Sequence, residues 1–373
     1  MYLPEQKNKY ECCGCGACMN ICPVNAISMQ EDEMGFCYPV IDKEKCINCR
    51  KCERICSFEA GKKVIDDYST PAYGAVNKDE AIRSASRSGG VFTEISNIIL
   101  DNGGTVYGCE LTDDFNAVHT RATSCEERDK FRGSKYIQSD ISDVYKQIVS
   151  DLDEGKQVMF SGTTCQVEAV RKYVEASRAD SSNLYLVDIV CHGVPSKRVF
   201  RDYLKFIEKK NKCKVTGFNF RNKEKFGWKA HVETAITDKG EFDYEYFKKL
   251  FYDHYILRES CFQCPYKNTI RSGDISLADF WGVDEVLSGF NDNKGVSLVL
   301  IHSDKGMKLF DMCGNTLKCA KVDVRFCLQP PLREPFTMPY NRDSYLRKYK
   351  KYGIRWAILN IYSRKIRKRI FKK

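Results

Sequence analysis

Cys12, Cys15, Cys18 and Cys22, followed by Pro23, spell CxxCxxCxxxCP, and Cys46, Cys49, Cys52 and Cys56 repeat that spacing 34 residues later. A cubane iron–sulfur cluster needs four thiolates around it. Two-residue gaps let a tight loop aim three of them at one point, and the fourth cysteine of each run, on a short helix, reaches the other cluster. The pattern predicts two [4Fe-4S] clusters, one held by Cys12, Cys15, Cys18 and Cys56 and the other by Cys22, Cys46, Cys49 and Cys52. A zinc ribbon uses cysteines in pairs and would leave the third member of each run idle. Cys13 and Cys37 are extra to the pattern and read as small buried hydrophobes.

Further along, Ser86-Arg87-Ser88-Gly89-Gly90 precedes a helical pattern. A helix start offers unpaired N–H groups, and glycines let a phosphate approach the backbone, so a pyrophosphate-bearing cofactor fits there as well as an ordinary capped turn does. The spacing is not the GxGxxG of a dinucleotide fingerprint. Cys165 sits at a strand-to-helix switch, Cys191 at the end of the next strand, and Cys261 and Cys264 form a CxxC pair. Spacing alone leaves three readings of these four open: a third cluster, a structural zinc knuckle, or unrelated buried cysteines. His192, beside Cys191, is a candidate proton donor because imidazole titrates near neutrality, the alternative being a local hydrogen bond. Lys135, Asp279 and Trp281 are candidate pocket residues without a role; Trp281 and Trp228 serve equally as core.

The elements that must position these residues alternate. AYGAVN, TVYGCEL, QVMFSG and LYLVDIVC read as strands; VFTEISNIILDN, SDVYKQIVSDLDEG, TCQVEAVRKYVEA and SKRVFRDYLKFIEKKN read as helices. Ser124 and Glu127 form a capping-box pair. This succession predicts a mostly parallel α/β sheet. From Lys214 a β-rich subregion follows, and VSLVLIHS, a helix after Asp304 and KVDVRFCL return to α/β. The division is a ferredoxin-like module at 1–60, a linker at 61–71, an α/β domain at 72–342 and a basic tail at 343–373.

Eight ordered motifs then make the chain recognisable: SGGVFT (88–93), YGCELTDDF (107–115), RGSKYIQSD (132–140), SGTTCQ (161–166), DIVCHGVPS (188–196), FRNKEKFGW (220–228), LRESCFQCPYK (257–267) and SGDISLADFWG (272–282). Together they closely resemble the coenzyme F420 hydrogenase/dehydrogenase beta-subunit family, whose bacterial branch often carries an amino-terminal two-cluster ferredoxin. The resemblance implies a mixed α/β flavin-binding domain that holds FAD beside one [4Fe-4S] cluster and exchanges a hydride with a substrate such as the deazaflavin F420. It makes Ser88, Gly89, Gly90, Gly133, Ser134 and Lys135 candidate FAD phosphate contacts, and Cys165, Cys191, Cys261 and Cys264 candidate ligands of a third cluster. Thr164 stands where the family usually has Pro, Ala278 where Gly is usual, and Ser57 where Pro follows the last ferredoxin cysteine; none removes a sulfur.

The expected function is an FAD and iron–sulfur oxidoreductase linking a ferredoxin-like donor or a partner oxidoreductase to an unidentified small molecule. The other reading is an electron-transfer subunit with no substrate site of its own. Twenty cysteines in 373 residues, no apolar leader in MYLPEQKNKY and no apolar run of membrane-spanning length predict a reducing cytoplasm. The net charge is +10, but residues 344–373 hold twelve Lys and Arg and no acid, so the remainder sits near −2. That excludes a general nucleic-acid surface. In the tail, Ile354, Ile358, Ile361, Ile366 and Ile370 recur at near-helical spacing beside Trp356, the pattern of an interfacial helix on anionic lipid, of a helix docked on protein, or of a mobile basic tail.

Overall fold

The computed structural model describes residues 3–62, 67–141 and 143–370, with the side chains of Gln6 and of 362–370 outside that description. In chain order the strands are β1 (Ile27–Glu31), β2 (Cys37–Ile41), β3 (Ala72–Asn77), β4 (Thr105–Leu111), β5 (Ala117–Ala122), β6 (Val158–Thr163), β7 (Leu184–Ile189), β8 (Val215–Asn219), β9 (Glu233–Thr237), β10 (Gly240–Tyr244), β11 (Ile275–Asp279), β12 (Ser297–Ile301) and β13 (Leu317–Val322). The main sheet has eight strands in the order β13-β3-β12-β11-β7-β6-β4-β5.

Only β4, β6, β7 and β11 run parallel; the other pairings are antiparallel. The sheet is therefore mixed, which corrects the mostly parallel expectation. A parallel neighbour needs a long crossover, usually a helix, and Thr164–Ser177 supplies one between β6 and β7. β5 instead folds back on β4 after a short turn, and β12 returns antiparallel beside β11. The β-rich subregion is an antiparallel meander, β10-β9-β8. Lys197–Asn211 covers it with one apolar face (Val199, Phe200, Tyr203, Leu204, Ile207), opened where the Ser196 hydroxyl accepts the Val199 N–H at 3.1 Å.

The cysteine-rich segment is packed into the same body. Met34 and Phe36 are buried with Val199, Phe200 and Tyr203, while Ala17 and Ile55 join Tyr145, Val167 and Val170. Tyr145 Oη donates to Cys15 O at 2.9 Å, and Gln138 Nε2 donates to Cys13 O at 3.1 Å. Gly14 is needed at that contact: its φ is 72°, and a Cβ would meet Gln138 Nε2 at 2.7 Å and Arg258 Nη1 at 2.9 Å. Within the linker, residues 63–66 lie outside the described residues.

The tail is helical over Arg342–Ile370, interrupted at Gly353 (φ 73°). Tyr345, Tyr349, Ile354, Ala357, Ile358 and Ile361 are buried in the core that holds Val199 and Phe200, and Trp356 packs on Tyr345 at 5.1 Å. The expected lipid-facing stripe is thus spent, as far as Ile361, on the chain's own body, the docked-helix alternative. The side chains of Ile366 and Ile370 lie outside the described residues. No described helix is long and apolar enough to cross a membrane.

Candidate iron–sulfur site

Two adjacent parallel strands set up the centre. β6 and β7 pair in register from Val158↔Leu184 to Thr163↔Ile189, so their carboxyl ends are level. Cys165 follows β6 in the first turn of its helix, and Cys191 follows β7. Thr164, in place of the family's Pro, is buried, and its hydroxyl accepts from Arg271. After Cys191 the chain pairs with the segment before Cys261: Ser196 N donates to Ile256 O at 2.9 Å and Arg258 N to Val194 O at 2.8 Å. That ladder delivers the Glu259–Gln263 turn, and Cys165, Cys191, Cys261 and Cys264 line one chamber together with Cys13, Arg258 and Lys267.

Two features fit this chamber to a negatively charged group. Arg258 is 1% exposed and Lys267 6%, and among the described residues neither pairs with a carboxylate. Arg258 donates to Cys12 O at 2.9 Å, Cys37 O at 2.9 Å and Gln138 Oε1 at 2.9 Å; Lys267 donates to Cys191 O at 2.5 Å and His192 O at 2.8 Å. A buried cation is costly unless an anion compensates it, and four thiolates around iron are such an anion. A sulfur-directed donor is also in place: Val194 N points at Cys261 Sγ (3.4 Å); Thr163 Oγ1, which donates to Gln166 Oε1, lies 3.2 Å from Cys165 Sγ. Burial pushes the Cys261 thiol up to about 12 and raises Cys264 and Cys191 as well, so without a metal these are neutral thiols and not reactive thiolates.

The eight ferredoxin cysteines fall into two groups. Cys22, Cys46, Cys49 and Cys52 line one cavity walled by Leu3, Val24, Ile27, Ile41 and Ile47. Cys18 has Cys15 and Cys12 of its own run and Cys56 and Cys52 of the second as electrostatic neighbours. Ala26 N donates to Cys22 Sγ (3.3 Å), Lys7 Nζ to Cys56 Sγ (3.2 Å) and Arg258 Nη2 to Cys12 Sγ (3.7 Å). Among the described residues no three His, Cys, Asp or Glu side chains gather tightly enough to share one metal ion.

Other nominated residues are placed differently. Gly89 N donates to Ser297 Oγ (2.9 Å), Ser88 Oγ donates to Val296 O (2.7 Å), and a Cβ on Gly89 would lie 2.2 Å from Ala75 O. Gly89 is therefore a glycine because β3 and β12 press on it, and Gly90 because its φ is 89° and Asn77 of β3 lies against it. Lys135 is also engaged, its Nζ donating to Lys130 O (2.9 Å) and Arg132 O (2.8 Å), while Gly133 is exposed and Ser134 half-buried. Of these six residues, Ser88, Gly89 and Lys135 have these groups engaged within the chain, and Gly133 and Ser134 stay accessible.

His192 Nε2 lies 2.9 Å from His254 Nε2, and its ring packs at a tilt on Phe336 with centroids 4.1 Å apart. Burial, then Lys267 and His254, push its imidazole down to about 3, so it is neutral near pH 7 and corrects the expectation of an imidazole titrating there. Asp279 accepts from Arg221 (2.6 Å) and from Trp228 Nε1 (2.8 Å), and Trp228 is buried beneath Trp281 at 4.9 Å.

Cys13 is the residue that pattern reading set aside. Its thiol interacts with both Cys15 and Cys165 and lines the chamber. Its one available signal was the Cys12-Cys13 doublet. Arg258 and Lys267 were visible inside LRESCFQCPYK as charges in an otherwise apolar and sulfur-rich motif.

Comparison with known proteins finds two family matches. Residues 155–323 match the family described as the carboxyl terminus of the coenzyme F420 hydrogenase/dehydrogenase beta subunit, and residues 11–60 match the 4Fe-4S dicluster domain. A subunit of the F(420)H(2) dehydrogenase of Methanosarcina mazei is 22% identical over 214 residues, 52% of this chain. The match spans 58% of that relative's length. A chain of the F420-reducing [NiFe] hydrogenase complex from Methanosarcina barkeri superposes with a TM-score of 0.48 at 18% identity, covering 69% of this chain and 85% of that one. By the two family matches the chain joins a 4Fe-4S dicluster domain to a carboxyl-terminal domain of the coenzyme F420 hydrogenase/dehydrogenase beta-subunit family.

Proposed function

We propose that this chain is an iron–sulfur oxidoreductase subunit that carries electrons between a low-potential partner and a redox-active small molecule, through three [4Fe-4S] clusters. The observation that carries the reading is the chamber of Cys165, Cys191, Cys261 and Cys264, flanked by two buried cations with no carboxylate of their own. Cys12, Cys15, Cys18 and Cys56 would hold one cluster, Cys22, Cys46, Cys49 and Cys52 the second, and the chamber cysteines the third. A cubane cluster supplies one-electron exchange, its potential set by charge, by hydrogen bonds to sulfur and by solvent exposure.

The chain's own residues set those three levers. Arg258, buried between Cys12 and the chamber, favours added negative charge on either side of it. Lys267 does the same from the His192 side while fixing the Cys191 carbonyl. Phe58, Tyr266 and Val194 line the chamber and exclude water. His192 and His254 are mutually hydrogen-bonded and pack against Phe336. No proton transfer is assigned to them.

The alternative, a relay that hands electrons to another subunit without binding a small molecule, is favoured by the relatives' names as subunits. Exposed aromatic side chains near His192 favour a site on this chain: Tyr252, 45% exposed, meets His192 at 5.0 Å. Iron and acid-labile sulfide counted on anaerobically purified chain test the reading. About twelve iron atoms per chain support it and about eight leave only the dicluster domain.

A further inference from the structure

Arg271 lines the cysteine chamber, and its side chain is only 1% exposed. Its donors reach three separate stretches of chain. Nη2 donates to the hydroxyl of Thr164, the residue before Cys165, and to the carbonyl of Ile189 at 2.8 Å, two residues before Cys191. Nη1 donates to the carbonyl of Tyr266 at 3.0 Å, two residues after Cys264. One guanidinium thus holds the chain within two residues of Cys165, Cys191 and Cys264. Cys261 is placed separately, by the pairing of 194–196 with 256–258 and by Val194 N.

The guanidinium is itself fixed from the sheet. Asp188, in β7 and 0% exposed, accepts from Arg271 Nε at 2.8 Å, from Ser276 Oγ at 2.6 Å and from Gly273 N at 3.1 Å. Ser276 of β11 pairs with Asp188 in the parallel register and takes a second bond from Arg271 Nε at 2.9 Å. His302 Nε2 lies 2.9 Å from the same hydroxyl; because the Ser276 proton goes to Asp188, the imidazole is the donor there. Asp274 closes the loop onto β7, its N–H donating to Leu186 O at 2.6 Å while its carboxylate accepts from Leu186 N at 2.8 Å.

This cation differs from the other two at the chamber. Arg258 and Lys267 have no carboxylate among the described residues, whereas Asp188 cancels the charge of Arg271 at contact. Its effect on the chamber is therefore one of placement. A planar fork with donors in fixed directions can hold three segments at once, and an ammonium on a flexible stem cannot.

We propose that Arg271, fixed by Asp188, is the positioning residue of the chamber, holding Cys165, Cys191 and Cys264 at the spacing at which their thiolates share one iron–sulfur cluster. The inference rests on the three-cluster reading. Thr164 is part of the device, because a proline at that position would offer Arg271 no acceptor.

The test uses full-length chain purified anaerobically with its iron, as wild type, Arg271→Lys and Thr164→Val. Arg271→Lys keeps the charge beside Asp188 and loses the fork; Thr164→Val leaves the Arg271–Asp188 pair intact and removes one anchor. Iron release to an excess of a ferrous chelator is followed alongside EPR of the dithionite-reduced protein and thermal unfolding. In Arg271→Lys about four of about twelve irons should leave about 10–100-fold faster, the usual effect of losing a group that orients ligands, with the other eight at the wild-type rate. Thr164→Val should move the same four irons in the same direction by less. One reduced-cluster signal should change its g values while the other two stay as they are.

Unchanged release and unchanged signals in Arg271→Lys would overturn the proposal. So would faster release of all the iron together in step with a lowered melting temperature, which marks a purely structural arginine. If Arg271→Lys does not accumulate, Thr164→Val decides by the same two readouts. A wild-type chain with about eight irons removes the third cluster and this proposal with it, whereas about twelve irons with unaltered release in both variants removes the proposal alone.

Discussion

The guanidinium of Arg258 lies 3.7 Å from the Sγ of Cys12 while its Nε holds the Cys12 carbonyl, and the same side chain lines the chamber of Cys165, Cys191, Cys261 and Cys264. One buried cation is thus shared by two groups of cysteines that the sequence separates by well over a hundred residues. Nothing acidic neutralises it among the described residues, so it belongs electrostatically to the sulfur sites.

Arg258→Gln should make the affected clusters harder to reduce, because a reduced cluster carries more negative charge and loses a cation. A bond to a charged group is worth about 1.5–3 kcal/mol, which for a one-electron couple corresponds to a shift on the order of 60 mV or more to negative potential. An EPR-monitored redox titration reads this directly. An unchanged midpoint, or a positive shift, would mean that Arg258 serves packing only.

Cys13 separates a ligand from a neighbour. Cys13→Ala should keep the full iron complement, whereas Cys15→Ala should lose about four irons. The rate at which the chamber signal appears after rapid mixing with reductant should fall in Cys13→Ala, since its thiol interacts with both Cys15 and Cys165. Iron loss in Cys13→Ala would make it a ligand.

The carboxyl-terminal helix should behave as core. Ile358 is 6% exposed, so Ile358→Ala should cost about 2–5 kcal/mol in thermal or chemical denaturation, and truncation after Leu346 should cost more by opening the face of Val199 and Phe200. A truncated chain of unchanged stability would return these isoleucines to an external partner.

Glu233 gives the fold a pH dependence of known sign. Its buried carboxylate accepts from Tyr203 Oη (2.9 Å), Phe247 N (2.8 Å) and Lys248 N (3.0 Å), yet burial prevails and pushes it up to about 7 from an ordinary 4.5. A raised carboxyl stabilises the fold fully below its unfolded value, and that contribution is lost as pH rises through 7. The loss is about 3 kcal/mol between pH 4.5 and 8. Denaturation across that range should show the slope in the wild-type chain and a flatter profile in Glu233→Gln. Parallel profiles would assign the slope to another group.

How much of this was legible beforehand follows from where the information lies. Ligand spacing is local, so a dicluster domain over 11–60 could be expected from the chain alone, and the grouping of Cys12 to Cys56 proposed from it. The level ends of β6 and β7, which bring Cys165 and Cys191 together, are strand-pairing facts, and the reach of Cys261 depends on a ladder between 194–196 and 256–258 that no periodicity encodes. Ser88-Gly89-Gly90 shows the converse: glycine is required there by sheet packing, and a phosphate loop would present the same letters. The tail's isoleucines fixed an apolar face but not the surface that covers it.

The third cluster is the centre of the account, and spin-quantified EPR with iron counting on dithionite-reduced full-length chain, wild type against Cys264→Ser, tests it most directly. The full chain is required because Met34, Phe36, Ala17 and Ile55 tie the cysteine-rich segment into the main core. The account predicts about twelve irons falling to about eight in the variant, with loss of one reduced-cluster signal and retention of the two from the dicluster domain. An iron count near eight in the wild type, unchanged by Cys264→Ser, would contradict it.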